Sequence, residues 1–426
     1  MTTIPPAAAA AATPNPKILT RQPLKAIYIL TSLIFETLIR LPLCALLYCL
    51  LPSLTRPDPR WTWRQAIGVR LLRAIVQHSA AVEGVSRVPL SLAPGAEGER
   101  FEVMEPAEAS AYRGPLQDDD DDGDQTRPAR IGGTWYAERY CGDEGEEGEE
   151  KKSNNTKAIV LHLHGGAFVL GDGRENDCGA LARTMLRQCH SSISHVFCPQ
   201  YRLAGASSSS SPGGDARYPA ALQDALTAYL HLRRRHRIPA SRIVLSGDSA
   251  GGNIVNALLR YIATYRDDGI DGLEEDEAPA CAWLWSPWTS PAQALDAGRV
   301  ALSPNRDSDY VPEAFGAWGC RAYAGHRDGL VNDSWISVVA ADAFPSPAPV
   351  WVQTGGRELL FHDNVEFFEG LRKVNEGKGK GGQPCELEIV PHAPHDIALL
   401  GHILGFSKEY EGALEKAEAF FQRVRK

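Results

Sequence analysis

At 426 residues the chain exceeds what one hydrophobic core usually organises, so one large domain with appendages is the simplest count. Its net charge of -9 comes largely from three acidic runs, which excludes the basic face that a nucleic-acid partner requires. Nine cysteines at irregular spacings, an odd number with no Cys-x-x-Cys pair, exclude a disulfide framework or cysteine zinc site and read mostly as small buried apolar residues.

Residues 1–23 are rich in Ala, Pro and Thr and offer too little periodic apolar surface to offset the entropy of ordering, so a disordered tail is expected. Residues 24–54 are apolar and, as a helix, exceed the roughly 20 residues that cross a hydrocarbon core. Glu36, Arg40 and Pro42 interrupt the segment, and the spacing of Glu36 and Arg40 lets them pair on one helix face. The segment reads as a membrane anchor. A helical arm packed on the catalytic domain is the alternative, and a cleaved signal peptide fits less well because the stretch is too long and too late. Arg56, Arg60 and Arg64 follow it more closely than Lys17, Arg21 and Lys25 precede it, which favours a cytosolic domain, with the endoplasmic reticulum as the expected membrane.

Over residues 61–80, Trp63, Ile67, Leu71 and Ile75 recur as on one face of an amphipathic helix, placed to cover a binding cleft. Two acidic runs, "QDDDDDGD" and "GDEGEEGEE", flank a strand-like stretch around Trp135 and read as solvated loops, because carboxylates in a flexible chain are not held at ligand distances. After Lys157, short apolar runs alternate with helical patterns, the signature of an α/β fold with a mostly parallel sheet. The strand candidates are "KAIVLHLH", "SHVFCPQY", "RIVLSG", "ACAWLWS", "PVWVQTG" and "CELEIVP". Helices are expected over 218–234, 253–265 and 364–373. Trp283 and Trp285 share one strand face and read as core.

Four of these strands end in residues that carry chemistry. "AIVLHL" runs into His164-Gly165-Gly166-Ala167, where the NH groups of Gly165, Gly166 and Ala167 are candidates for stabilising an oxyanion. His162 and His164 form a His-x-His pair without a third ligand at a convincing spacing, so no metal is expected. "RIVLSG" runs into Gly247-Asp248-Ser249-Ala250-Gly251 and then a helix, the context of a nucleophile elbow. A free serine hydroxyl is a poor nucleophile, and the tight turn presents Ser249 to a base while Ala250 adds an oxyanion donor. "PVWVQ" leads to Glu358 and Asp363, and "CELEIV" leads to His392 and His395, which completes the chain order serine, acid, histidine. Glu358 lies just past its strand, whereas Asp363 lies about a turn further on, where a helix start gives it orphan NH groups to accept.

At these motifs the chain resembles the hormone-sensitive-lipase-like branch of the α/β-hydrolases, esterases and lipases marked by His-Gly-Gly-Gly and Gly-Asp-Ser-Ala-Gly signatures. The resemblance runs from about Trp135 to the C-terminus and includes "QYRLA" and "YPAALQDALTAYLHL". Ala167 stands where the family has its third glycine. The resemblance implies a catalytic domain over residues 55–426 with a cap helix at its start and a cap insertion near 291–337. It also implies Ser249 as nucleophile, His395 as base, Glu358 as acid, no cofactor, and a small-molecule ester as substrate. The N-terminal apolar segment resembles those of membrane-associated fungal members, some of which act on acetylated secondary metabolites or sterols. Two other functions stay open on the same fold: a ligand-binding receptor or scaffold, which in plants loses the histidine, and a cyclase or condensation helper of secondary metabolism.

Overall fold

The computed structural model describes residues 18–83, 90–117, 126–140, 156–205, 216–274, 277–325, 329–338 and 342–425. Most of the expected N-terminal tail, both acidic runs and most of the serine-rich insertion lie outside these residues. The described strands are β1 (Phe101–Met104), β2 (Ile131–Tyr136), β3 (Ala158–Leu163), β4 (Ile193–Pro199), β5 (Ile243–Asp248), β6 (Cys281–Trp285), β7 (Val350–Gly355) and β8 (Cys385–Val390). They form one sheet in the order β1-β2-β4-β3-β5-β6-β7-β8, antiparallel at β1-β2 and β2-β4 and parallel from there on. The six expected parallel strands are all present. β1 is the addition: four residues, "FEVM", too short a run to announce itself.

Parallel strands buried on both faces read as continuous apolar runs, and their side chains divide by the two-residue period. Ile159, Leu161 and Leu163 of β3 enter one core together with Ile243 and Leu245 of β5, while Val160 and Val244 enter the other. Helices α1 (Leu24–Phe35), α2 (Leu41–Leu50) and α3 (Trp63–Ala81) precede the sheet. The crossover and C-terminal helices are α4 (Glu175–Gln188), α5 (Ala220–Arg234), α6 (Ala250–Tyr265), α7 (Ala297–Leu302), α8 (Glu313–Ala324), α9 (Phe361–Gly377), α10 (Ile397–Leu404) and α11 (Ser407–Val424). The first core packs α5, α6 and α9, and the second packs α4, α10 and α11. Trp283 and Trp285 share the second face, where Trp285 meets Trp351 at 4.8 Å and Tyr410 at 5.4 Å between ring centroids. At the edge strand β8, Glu386 and Glu388 are paired by Arg423 and Lys416 of α11 at 2.5 and 2.6 Å.

Before the sheet, α1 and α2 make an almost continuous apolar helix joined by a wide turn at Glu36–Arg40, and Pro42 follows directly on that turn, whose wider bonding accommodates a residue without an NH. This helix runs antiparallel along α3. Tyr28 Oη and His78 Nδ1 meet at 2.9 Å near one end, and Trp63 Nε1 donates to the Ala45 carbonyl at 3.1 Å near the other. Glu36 is buried and pairs with Arg40 at 2.7 Å, as their spacing predicted. Thr62 and Gln65 close a reciprocal capping box at the start of α3. The i, i+4 stripe of α3 is not its buried face: Trp63, Leu71 and Ile75 are exposed, whereas Ala66, Val69 and Ala74 are buried.

Asp58 ties this N-terminal arm to the loops after β7 and β8. Its fully buried carboxylate receives Arg60 Nε at 3.0 Å and Arg357 Nε at 2.8 Å, and His392 Nδ1 lies 3.4 Å away. Trp61 Nε1 donates to the His392 carbonyl at 2.6 Å. Burial alone raises the Asp58 pKa, but the hydrogen bonds from Arg60 and Arg357 outweigh it and hold the carboxyl well below its usual range. A depressed folded-state pKa contributes stability that is present above the ordinary value of 3.8 and lost as the pH falls below it. Replacing Asp58 by Ala is therefore expected to cost about 1.5–3 kcal/mol at neutral pH, read as a lower melting temperature. The gap from wild type should narrow on acidification, and melting curves that coincide at pH 7 contradict this.

Candidate active site

Strand β5 ends in Asp248, and the chain turns so sharply into α6 that Ser249 takes φ 49°, a left-handed value that strains a residue with a side chain. Three contacts hold it there. Ser249 NH donates to the Trp285 carbonyl at 2.9 Å, and the Ser249 carbonyl accepts Trp288 NH at 2.8 Å and Asn253 NH at 3.2 Å. Gly251 is demanded by close approach, since a Cβ there would overlap the Leu163 carbonyl. The elbow thus places the Ser249 hydroxyl at the carboxyl edge of the sheet, where open α/β folds gather their ligands.

His395, from the loop after β8, brings Nε2 to 2.9 Å from Ser249 Oγ. Its Nδ1 lies 3.2 Å from Glu358 Oε2, and both His395 and Glu358 are buried. Glu358 is held in turn: Thr354 Oγ1 donates to Oε1, and Asn364 Nδ2 donates to the same oxygen at 2.9 Å. Asn305 Nδ2 donates to the Glu358 carbonyl at 2.9 Å, Ser308 Oγ donates to the Arg357 carbonyl at 3.0 Å, and Leu359 NH reaches Asp309 Oδ2 at 2.6 Å. A single loop, residues 305–309, therefore clamps the acid-bearing loop. His392 stays apart, half exposed and facing Asp58. Asp363 does not accept orphan NH groups at the start of α9; its carboxylate pairs with Arg299 instead.

The glycine loop after β3 brings one correction. Gly165 NH donates to Asp248 Oδ2 at 2.8 Å, so it is not free to meet an oxyanion. Gly166 (φ 107°) and Ala167 (φ 54°) both turn left-handed, and neither NH has an acceptor among the described residues. Ala250, as the first residue of α6, has an NH with no intrahelical partner. Tyr201 fixes the loop by donating its hydroxyl to the His164 carbonyl at 2.7 Å and stacking on the His164 ring at 4.2 Å.

Beneath the site lies a pair of carboxyl groups that the motifs alone do not reveal. Asp248 and Asp396 are both buried and act on each other's charge, which favours the protonated form of one of them. Burial pushes Asp248 up to about 6, and burial with the charge of Asp248 pushes Asp396 well above the usual range. Asp248 precedes Ser249, Asp396 follows His395, and Gly165 precedes Gly166, so the pair links three loops. Asp396 also accepts Leu399 NH at 3.1 Å, and its own NH donates to Ser286 Oγ at 3.1 Å.

Above these groups is a cavity of about 690 Å³ with Ser249 and His395 among its lining residues. Its walls are apolar, with Leu72 and Val76 from α3, Trp288, Val300 and Phe315 from the segment 288–324, and Leu399 from α10. The insertion between β6 and β7 and the helix α3 thus face the same space. His162 and His164 are buried and pushed down to about 4 by that burial, which leaves both imidazoles neutral at pH 7. Among the described residues Glu102, His231 and His236 form a group of metal-ligand types within 4.8 Å of one another. Both Glu102 oxygens are already engaged, Oε2 by Trp135 and His236 and Oε1 by Arg139, and none of the three residues lines the cavity.

A model of the alpha/beta hydrolase fold family matches residues 160–399. The chain belongs to the alpha/beta hydrolase fold family. LipR of Mycobacterium tuberculosis, provisionally named an acetyl-hydrolase, is 31% identical over 254 residues, covering 58% of this chain and 72% of its own. LipF of the same organism, named a carboxylesterase/phospholipase, is 30% identical over 213 residues, and the chain spans 48% of its length and is itself covered to 48%. Among solved structures, an esterase from the bacterial hormone-sensitive lipase family superposes with a TM-score of 0.54 at 21% identity, covering 86% of this chain and 99% of that one, a likeness of fold. The chain is a carboxylic ester hydrolase, and its hormone-sensitive-lipase-like motifs agree with the names of these neighbours.

The electrostatics of His395 set a pH dependence. Burial alone lowers its pKa, but the hydrogen bond and charge of Glu358, with Asp309 and Asp396 nearby, outweigh this and push it up to about 9. An imidazolium cannot take a proton from Ser249, so kcat/KM should rise with pH, its acid limb lying well above the ordinary histidine value of 6.5. Glu358→Gln should lower turnover by roughly four orders of magnitude, keep the fold, and shift the residual acid limb downward. Asp363→Asn, which loses only the pair with Arg299, should keep turnover within a small factor. Wild-type turnover in Glu358→Gln with an inactive, folded Asp363→Asn would exchange the two assignments.

Proposed function

We propose that this chain hydrolyses an apolar carboxylic ester through an acyl-enzyme formed on Ser249. The observation that carries the proposal is the hydrogen-bond chain from Ser249 through His395 to Glu358, at the edge of a cavity lined also by Gly166 and Ala167, with Ala250 next to Ser249 at the start of α6. In this mechanism Ser249 Oγ attacks the ester carbonyl while His395 Nε2 takes its proton. Glu358 fixes the Nδ1 tautomer and stabilises the imidazolium. The NH groups of Gly166, Ala167 and Ala250 receive the negative charge that develops on the carbonyl oxygen, where each such donor contributes about 2.7–4 kcal/mol. His395 returns the proton to the departing alcohol, and water activated by the same histidine releases the acid. No cofactor takes part.

A cavity of about 690 Å³ with apolar walls takes one drug-sized ligand and selects against charged substrates. The acetylated secondary metabolites, sterols and lipids brought by the sequence resemblance all meet that requirement. A receptor would have no need of the base, and here His395 stands within hydrogen-bond reach of the nucleophile, which favours turnover over binding alone.

We also place the chain on a membrane through residues 24–54, with the endoplasmic reticulum as the membrane and a cytosolic catalytic domain. The apolar helix Leu24–Leu50, near the N-terminus, is long and apolar enough to cross a bilayer by length and composition. Ser249→Ala should abolish hydrolysis of p-nitrophenyl esters and labelling by a fluorophosphonate, since only the activated serine reacts; undiminished labelling contradicts the assignment. In cells, Asn332, exposed in an Asn-Asp-Ser sequon, should give no mobility shift with an endoglycosidase. A shift places the domain in the lumen.

A further inference from the structure

We infer that the N-terminal helix lies in the plane of an anionic bilayer and that the catalytic cavity opens on that surface, so the ester it takes is one dissolved in the lipid. The inference rests on the catalytic reading of Ser249 and names the source of its substrate.

The helix is built inside out. Toward α3 it turns Tyr28, Glu36 and Tyr48, while the exposed Thr31 and Thr37 bond their hydroxyls back to carbonyls of their own helix. Away from the protein it turns Leu30, Leu33, Leu38, Leu50 and Leu54, which are 58 to 81% exposed. Only 11% of its most apolar window is buried. In water this surface is unfavourable by about 25 cal/mol for every Å², and no element among the described residues covers it. A contiguous apolar face of this length, with Glu36 turned inward, matches a hydrocarbon environment.

Its packing argues for lying along the surface rather than crossing. α3 accompanies the helix at both ends, through Tyr28 with His78 and Ala45 with Trp63. The same α3 supplies Leu72, Val76 and Ser79 to the cavity wall, and its Arg73 donates to the Asp309 carbonyl at 2.6 Å, in the loop that clamps Glu358. A crossing helix would either leave α3 or draw it, with Arg70 and Arg73, into hydrocarbon.

The lipid-facing surface continues to the cavity mouth. Leu71, Ile75 and His78 fall on one stripe of α3 by the spacing of the helix, and His78 touches the apolar helix. Ile75 lines the cavity and is also 53% exposed, which puts it at the lip. Leu302, at the end of α7, lines the cavity from another element and is 86% exposed. Charge selects the kind of lipid. Of the eight Arg and Lys in residues 18–83, Arg40 and Arg60 pair with the buried Glu36 and Asp58 while Arg56 and Arg73 bond backbone carbonyls. Arg21, Lys25, Arg64 and Arg70 remain against one further acid, Glu83, in a chain whose net charge is -9. That excess of basic side chains beside the apolar face complements anionic headgroups.

The test compares the full chain with the triple variant Leu30→Glu, Leu38→Glu, Leu46→Glu and the single variant Leu38→Glu, none of which lines the cavity. Flotation is measured with phosphatidylcholine vesicles with and without phosphatidylserine. Turnover is measured on p-nitrophenyl butyrate in solution and on methylumbelliferyl oleate dissolved in the vesicles. Wild type should float, more with phosphatidylserine, and protease added outside sealed vesicles should remove a tag placed ahead of residue 1. Both variants should keep turnover on the soluble ester, and the triple variant should lose flotation and about tenfold or more of its turnover on the vesicle ester. Equal turnover on the vesicle ester despite lost flotation overturns the inference, as does a protected tag, or a stable dimer of wild type that does not float. A wild type that floats but hydrolyses neither ester leaves the seating intact and refutes the catalytic reading instead.

Discussion

The proposed chemistry depends on keeping one hydrogen-bond chain, Ser249 to His395 to Glu358, in register across three loops that follow β5, β7 and β8. Such a chain works only if its members are fixed before substrate arrives, because a hydrogen bond that must be assembled during the reaction adds its ordering cost to the barrier. The sheet supplies the coarse register. The fine register comes from buried polar contacts: the Asp248 and Asp396 carboxyls link the elbow to the histidine loop, Asp248 holds Gly165, and residues 305–309 hold the loop of Glu358. The strain at Ser249, at φ 49°, is tolerated because its own NH and carbonyl are both bonded.

What was legible in the sequence was whatever the local backbone decides. Gly247-Asp248-Ser249-Ala250-Gly251 after a β-branched run specifies a turn that only one geometry satisfies, and buried parallel strands are continuous apolar runs, so β3 to β8 and the elbow could be read directly. The order serine, acid, histidine pointed to Glu358 and His395, which the fold brings into one hydrogen-bond chain with Ser249. Contacts between distant segments were not legible. Gly165 stands in a motif of oxyanion donors, and that its NH is taken by Asp248 follows from packing across 83 residues. Asp363 had the position of a helix cap, but Arg299 of the insertion, 64 residues earlier, claims it. β1 escaped notice because four residues at a sheet edge need neither a long apolar run nor a tight turn.

The N-terminal region shows a different limit. Periodicity reports which side of a helix is apolar and does not report what that side meets. The stripe Trp63, Leu71 and Ile75 read as a face that covers a cleft, and of the three only Ile75 lines the cavity, while the N-terminal helix points leucines outward and a glutamate inward. The ion pair of Glu36 and Arg40 lowers the cost of two charges in an apolar segment: Glu36 is buried on the side that packs against α3, next to His78. The helix packs on α3 as the arm reading expected, and the proposed bilayer contact concerns its opposite, exposed face.

The central claim, that Ser249 is the nucleophile and that Gly166, Ala167 and Ala250 surround the oxyanion, is tested most directly by a crystal structure of the protein after reaction with an alkyl phosphonate ester. The phosphorus should be bonded to Ser249 Oγ, with the phosphoryl oxygen within hydrogen-bond distance of those three NH groups and His395 Nε2 facing the departed group. An adduct on another residue, or a phosphoryl oxygen bound by a Gly165 NH that has left Asp248, would contradict the account.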